Sequence, residues 1–185
     1  MPYIQPNAGN IFGAMPIEGI PGHGQTALYA VSSSEATAIL PGDVIVRTSL
    51  GGGVRAAVTA DASPVVPIVG AAANALTTAE FALGTLNLLV YDDQLQYFAM
   101  SATTSASMTL AMVGQNVVVI ATATGTGIPS TLVGRSKMAI GVAGSSAGVF
   151  RVVGLHPIET YSSNPTGALK WIVRQNPTNT AILTT

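Results

Sequence analysis

The chain has no cysteine, very few charged residues and few aromatic ones. Its 185 residues contain 8% Asp, Glu, Lys and Arg and 5% aromatic side chains. Without cysteine, disulfides, thiolate chemistry and cysteine-ligated zinc are excluded. Because soluble domains usually carry about 25% charged residues, a surface this poor in charge is expected to associate unless lipid or other protein covers it.

The chain also lacks a long apolar run, which argues against a membrane-spanning helix. A membrane-spanning helix needs about 20 mostly apolar residues, and the most apolar segment, 65–76, is interrupted by Pro67, Gly70 and Asn74. The N-terminal residues have neither the basic region nor the continuous apolar stretch of a signal peptide. We therefore expect no membrane partner, and an apolar surface that packs against protein.

A positive patch is missing as well. The formal net charge is −1, and the 7 Lys and Arg residues are scattered singly along the chain. Nucleic-acid binding requires a cluster of cations that neutralises several phosphates. We expect no nucleic-acid partner.

Residues 1–24 are rich in proline and glycine, which predicts neither helix nor β-ladder. The segment is nevertheless too apolar for a solvated tail, so we predict an extended irregular arm. Two roles remain open: a strap across its own domain, or an arm that docks on a neighbouring subunit. The candidate partner-binding residues are its large apolar side chains: Tyr3, Ile4, Ile11, Phe12, Met15, Ile17 and Ile20.

Residues 25–185 read as a β-rich domain. Short apolar and β-branched runs alternate with turn clusters such as Gly114-Gln115-Asn116, a pattern that predicts about ten short strands. The fold class is all-β, an antiparallel β-barrel or sandwich. The predicted strands cover 43–48, 54–58, 64–69, 86–91, 95–100, 108–113, 117–122, 136–142, 149–155 and 170–174.

Two local patterns are more specific. Val44 and Val46 alternate with Ile45 and Arg47, which predicts a strand with two different faces and a hairpin to 54–58. Thr77 and Glu80 have the spacing of a capping box. We expect at most one or two helical turns there.

Candidate catalytic residues are few. Asp92-Asp93 is the only adjacent acidic pair, and its chemistry favours a structural turn. His23 and His156 have no spacing to a second ligand, and no Gly-x-Ser-x-Gly motif occurs. Trp171 is predicted to lie in a core strand. We expect a protein that is not an enzyme and has no cofactor and no metal.

The order of several short motifs resembles the capsid cement, or head-decoration, proteins of tailed bacteriophages. The likeness covers residues 42–176, and it departs from the family after the paired aspartates, where Gln94 and later Ala99-Met100 stand. The first 41 residues are unmatched. The motifs that carry the resemblance are Gly42-Asp43, Gly53-Val54, Ile68-Val69-Gly70-Ala71-Ala72, Val90-Tyr91-Asp92-Asp93, Gln96-Tyr97-Phe98, Gly114-Gln115-Asn116, Gly134-Arg135-Ser136, Phe150-Arg151-Val152-Val153-Gly154-Leu155 and Trp171-Ile172-Val173-Arg174.

The resemblance implies a virion structural protein. Such proteins bind the outside of the expanded head and form oligomers, often trimers, that tie capsomers together. The expected partners are therefore the major capsid protein, bound by the β-rich domain, and other copies of the chain, as a homotrimer or alternatively a dimer. The expected location is the capsid exterior, after a period in the host cytoplasm. The alternatives are a tail, fibre or other appendage subunit, or a small hydrolase using His23 or His156 with Asp92 or Asp93.

Overall fold

The computed structural model describes residues 13–17, 25–32, 35, 37–48, 53–58, 67–81, 87–102, 108–120, 136–142, 148–157 and 170–176. These residues form two antiparallel sheets, one of six strands and one of five. The predicted antiparallel all-β fold is confirmed, and two open, packed sheets correspond to a sandwich. No helix in these ranges is long and apolar enough to span a bilayer.

Eleven strands make up the two sheets. In the six-stranded sheet the order is β1-β7-β11-β10-β8-β9, and in the five-stranded sheet it is β2-β6-β5-β3-β4. The strands are β1 (Met15–Pro16), β2 (Thr26–Ala30), β3 (Val44–Arg47), β4 (Val54–Ala56), β5 (Ile68–Ala72), β6 (Asn87–Tyr91), β7 (Tyr97–Ser101), β8 (Asn116–Ile120), β9 (Ala139–Val142), β10 (Phe150–Leu155) and β11 (Lys170–Gln175).

Both sheets curl until strands at opposite sides approach each other. In the six-stranded sheet a single parallel bridge joins Ala102, just after β7, to Ile140 in β9. In the five-stranded sheet another single bridge joins Val31, just after β2, to Val54 in β4. Since one bridge is not a ladder, neither sheet closes into a barrel over the described residues.

The buried apolar side chains form two cores. The larger one fills the concave face of the six-stranded sheet and includes Trp171 and the rings of Phe98 and Phe150, which meet edge to face at 6.1 Å between centroids. The smaller one lies on one face of the five-stranded sheet, around Leu88 and Val90. The predicted core position of Trp171 is confirmed, because its side chain is fully buried.

β3 contributes to both cores. Val44 and Val46 belong to the larger cluster, whereas Ile45 belongs to the smaller one. β3 pairs antiparallel with β4, as the predicted hairpin requires. The alternation seen in the sequence therefore reflects a strand that is buried on both faces.

The only α-helix among the described residues, α1 (Thr78–Phe81), begins with the predicted capping box. The Thr77 N–H donates to Glu80 Oε2 at 2.7 Å, and the Glu80 N–H donates to Thr77 Oγ1 at 3.4 Å. The helix is a single turn, within the predicted length. Its acidic residue stands in the first turn, where the helix dipole favours a negative charge.

Several predicted strands differ from the structure. The strand predicted at 136–142 begins at Ala139, the one at 95–100 begins at Tyr97, and the one at 54–58 ends at Ala56. Residues 108–113 contain a 3-10 helix, Leu110–Met112, instead of a strand. Of the strand predicted at 64–69, residues 64–66 lie outside the described ranges. β5 begins at Ile68, and Pro67 before it has no N–H to donate to a ladder. β1 and β2 were not among the predicted strands.

Two strand glycines provide a test of how closely neighbouring strands pack. A Cβ at Gly70 in β5 would overlap the carbonyl oxygen of Tyr91, whereas a Cβ at Gly154 in β10 would meet no atom within 4 Å. We predict that Gly70→Ala lowers the free energy of unfolding by about 3 kcal/mol, because the backbone of β6 must move. Gly154→Ala should change it by less than about 1 kcal/mol. Urea unfolding of both variants measures the difference, and equal losses would contradict this packing.

Candidate functional surfaces

The N-terminal residues that the structure describes lie on their own domain. Met15 and Pro16 form β1 at the edge of the six-stranded sheet, and the Ile17 N–H donates to the Tyr97 carbonyl oxygen at 2.9 Å. The prediction of irregular structure is therefore wrong at Met15–Pro16. A proline is tolerated there because an edge strand pairs on one side only.

The segment just before β1 is tied to the turn that precedes β3. Ala14 is fully buried, and its N–H donates to the Gly42 carbonyl oxygen at 2.7 Å. Gly13 has a φ of 40°, and a Cβ there would overlap Gly42 and Ser136. The other predicted partner-binding residues lie outside the described ranges, so intersubunit docking of the arm stays a prediction. They are Tyr3, Ile4, Ile11, Phe12 and Ile20.

The same turn contains a buried carboxylate. Asp43 accepts the Leu40 N–H at 2.8 Å and is also hydrogen-bonded by Ser136. Burial raises the pKa of Asp43 above its ordinary value, and these hydrogen bonds oppose the rise. Its acceptor atoms hold the start of β3 in place, which is a structural role.

The paired aspartates do not act together. Asp93 accepts the Leu95 N–H at 2.8 Å and closes the connection between β6 and β7, as predicted for a structural turn. Asp92 points elsewhere and accepts the Tyr29 hydroxyl at 2.8 Å. The two carboxylates therefore do not share one site.

One of the two histidines lies in the part of the chain that the structure describes. His23 lies outside it. His156 is buried at the end of β10, and its backbone N–H donates to the Lys170 carbonyl oxygen at 3.0 Å. The described residues contain no group of three His, Cys, Asp or Glu side chains that could hold a metal ion.

A small polar cleft lies where the two sheets meet. It has a volume of about 40 Å³ and is lined by Tyr29, Arg47, Asp92 and Gln175, among others. Among the described residues, Arg47 Nε and Gln175 Oε1 are buried without a hydrogen-bond partner, while Gln175 Nε2 donates to the Val69 carbonyl oxygen at 3.2 Å. A cavity this size holds roughly two or three water molecules. It fits bridging water between the sheets, and it is too small for a metabolite.

The electrostatics of the cleft act on Tyr29. Burial, the hydrogen bond to Asp92 and the negative charge of that carboxylate raise the pKa of Tyr29 from 10.0 to about 12, and Arg47 acts in the opposite direction. The folded state thus retains the phenolic proton at a pH where the unfolded state has released it. The resulting stabilisation is fully present below pH 10 and is lost as the pH rises towards about 12.

We predict that Tyr29→Phe lowers the free energy of unfolding by about 1 kcal/mol at neutral pH, because Asp92 loses a partly buried hydrogen-bond donor. This difference from the wild type should shrink between pH 10 and about 12. Urea unfolding across that range measures it. Tyr91→Phe is the matched control, since its hydroxyl makes no hydrogen bond among the described residues. A constant difference at all pH values would contradict the proton linkage.

The outer face of the six-stranded sheet, turned away from the larger core, is partly open to solvent. Four residues form a row across four neighbouring strands by their pairing: Tyr97 with Arg174, Arg174 with Arg151, and Arg151 with Asn116. Beside the row, Met15 and Val153 are 38% and 41% exposed. We call this region the arginine face. At the far end of the same face Ser101 and Lys170 are buried, so the open part is the end that carries the row.

A second exposed surface lies on the five-stranded sheet. Leu28 in β2 and Leu89 in β6 are directly opposite each other across the strand pair. Their side chains are 65% and 38% exposed. They share the sheet face on which Tyr91 packs against the larger core, but at the edge where that core no longer covers them. We call these two residues the leucine pair.

Sequence patterns missed both surfaces. Leu28 and Leu89 have the same apolar alternation as buried residues, and only the position of β2 at the sheet edge leaves them exposed. Arg151 and Arg174 are far apart in the chain and become neighbours only through the register of β10 and β11. Finding this pair requires the register of the two strands, which sequence alone does not provide.

Comparisons with known proteins do not indicate a function for the chain. The chain matches no protein-family model, no curated protein and no solved structure. The resemblance to capsid decoration proteins is therefore still a prediction from the order of its motifs.

Proposed function

We propose that the chain is a capsid decoration protein of a tailed bacteriophage, a structural subunit that self-associates and binds the outside of the head. The observation that carries this proposal is the presence of two separate exposed surfaces, the leucine pair and the arginine face, on a chain with only 8% charged residues. A subunit of a coat must contact its own copies and the shell at the same time. Two surfaces on different sheets meet that requirement.

The positions of the motifs behind the resemblance support the proposal. Gly42, Gly53 and Gly114 precede strands and have φ values of 88°, 93° and 84°. Such values are easy for glycine and unfavourable for residues with a Cβ. These glycines therefore set turns that determine where β3, β4 and β8 begin, and the resemblance rests on the order of such turns.

The leucine pair fits a second copy of this chain. β2 is an edge strand, and its sequence, Thr26–Ala30, contains no charged residue and no proline. Natural edge strands usually carry such residues to prevent pairing with other chains. β4 covers this edge at its end, where Val31 bridges Val54. The rest of the edge, next to the two exposed leucines, is suited to permanent association. We expect the homotrimer that the resemblance implies, with a dimer as the alternative.

We predict that Leu28→Gln combined with Leu89→Gln weakens self-association at least tenfold. Burying one leucine side chain stabilises an interface by roughly 1.5–3 kcal/mol, and about 1.4 kcal/mol corresponds to a factor of ten. Sedimentation velocity over a range of micromolar concentrations measures the change. Wild-type protein should sediment as an oligomer and the double variant as a monomer.

The matched control is Leu95→Gln. Leu95 is 63% exposed, as much as Leu28, but it stands alone in the turn between β6 and β7. Its replacement should leave the oligomer unchanged. A wild-type monomer at high micromolar concentration, or equal effects of the two changes, would overturn the assignment of the leucine pair.

We predict that the purified protein binds undecorated phage heads and raises their melting temperature. A ligand that binds only the assembled state stabilises it by about 2.7 kcal/mol at a concentration 100 times its Kd. Titration of the protein onto heads purified without it, followed by calorimetry, measures both effects. Absence of binding, or an unchanged melting temperature, would remove the decoration role.

The same titration on purified tails distinguishes the alternative function. Binding to tails and not to heads would identify an appendage subunit. Since this outcome also predicts self-association, only the choice of target separates the two structural roles.

A further inference from the structure

The arginine face brings two positive charges together without a negative one. Arg151 and Arg174 are direct cross-strand partners in the antiparallel pair of β10 and β11. Their neighbours Phe150, Val152 and Val173 are buried on the other side of the sheet, so the two arginines share the outer face.

This arrangement costs stability. Like charges directly opposite each other in a sheet destabilise it. Among the residues that the structure describes, neither guanidinium has an acidic side chain within ion-pair distance. The six strands of the sheet contain no Asp or Glu at all, whereas they contain Lys170, Arg151 and Arg174. In a chain with only 7 cations, placing two in unpaired opposition calls for a compensating interaction.

The surroundings indicate what would compensate. Arg151 Nη2 lies 3.9 Å from the position of a Cβ on Gly114, so this guanidinium extends over the turn before β8, away from Arg174. Each guanidinium is a planar fork that can take a carboxylate in bidentate fashion. Met15 and Val153 add exposed apolar area beside them. A surface with carboxylates inside an apolar rim is its electrostatic complement.

We propose that the arginine face is the head-binding surface and that it docks on an acidic patch of the capsid shell, with a carboxylate on each of Arg151 and Arg174. The identity of the partner rests on the function proposed above, whereas the requirement for carboxylates rests on the geometry of the face. The leucine pair belongs to the five-stranded sheet and the arginine face to the six-stranded one, so the two contacts use different residues.

The first test uses undecorated heads. Arg151→Gln combined with Arg174→Gln should weaken binding to heads at least tenfold and leave the sedimentation coefficient of the oligomer unchanged. Arg55→Gln is the control, because it removes an arginine from β4 of the other sheet, where the guanidinium donates to the Ala56 carbonyl oxygen. Equal binding by the double variant and the wild type would overturn the proposal.

The second test measures the melting temperature of the free protein. Because opposed arginines repel each other, Arg174→Gln should raise the melting temperature by about 1 °C. An arginine with a purely structural role would lower it on removal. A fall in melting temperature would therefore contradict the proposal, even if head binding were also reduced.

A third test separates this inference from the proposed function. A hexaglutamate peptide is titrated into wild-type protein at low salt, and backbone amide NMR shifts are followed. Shifts should concentrate at Arg151, Arg174 and Asn116 and should disappear in the double variant, but not in Arg55→Gln. If the wild type binds no heads and yet shows this pattern, the decoration role fails and the acidic-partner inference stands. Identical shifts in wild type and double variant would overturn the inference itself.

Discussion

The structure depends on the burial of β3 on both faces. Val44 and Val46 face the six-stranded sheet, and Ile45 faces the smaller core. The backbone of β3 also takes part in this packing, since the Val44 N–H donates to Met138 Sδ at 3.0 Å. Replacing a side chain of β3 would thus disturb one core directly and the other through the shared backbone. β3 therefore links the two cores in a chain whose many small side chains each bury little area.

The few charged residues occupy positions that follow from this packing. The acidic side chains that the structure describes all lie outside the strands: Asp43 and Asp93 hold turns, Glu35 accepts the Ala56 N–H, Asp92 accepts the Tyr29 hydroxyl, and Glu80 caps α1. Each carboxylate accepts hydrogen bonds that backbone or hydroxyl groups would otherwise lack. Arg151 and Arg174 differ from them, because their charges organise nothing within the described chain. The carboxylates that hold the fold together therefore lie apart from the two arginines that are available to a partner.

The parts of the fold that the sequence predicts are those in which local chemistry determines the outcome. The alternation at Val44–Arg47 gave a strand with two faces, and Thr77 with Glu80 gave a capped helical turn. Prediction was wrong where pairing with another strand determines whether a segment forms a strand. Residues 108–113 have apolar alternation, yet Leu110 and Val113 are exposed and the backbone forms a 3-10 helix. Met15–Pro16 becomes a strand only because β7 offers a free edge.

The same limit applies to the functional surfaces. A leucine at an exposed edge and a leucine in a core are identical in sequence, and two arginines can face each other only after the register of β10 and β11 is fixed. The arm residues Met15 and Ile17 illustrate the converse, since their backbone pairs with their own domain while the Met15 side chain stays 38% exposed. A coat subunit must keep its association surfaces apart, because an interface used for one contact cannot serve a second. In the proposed decoration role this separation is met by two sheets, because the leucine pair lies on the five-stranded sheet and the arginine face on the six-stranded one.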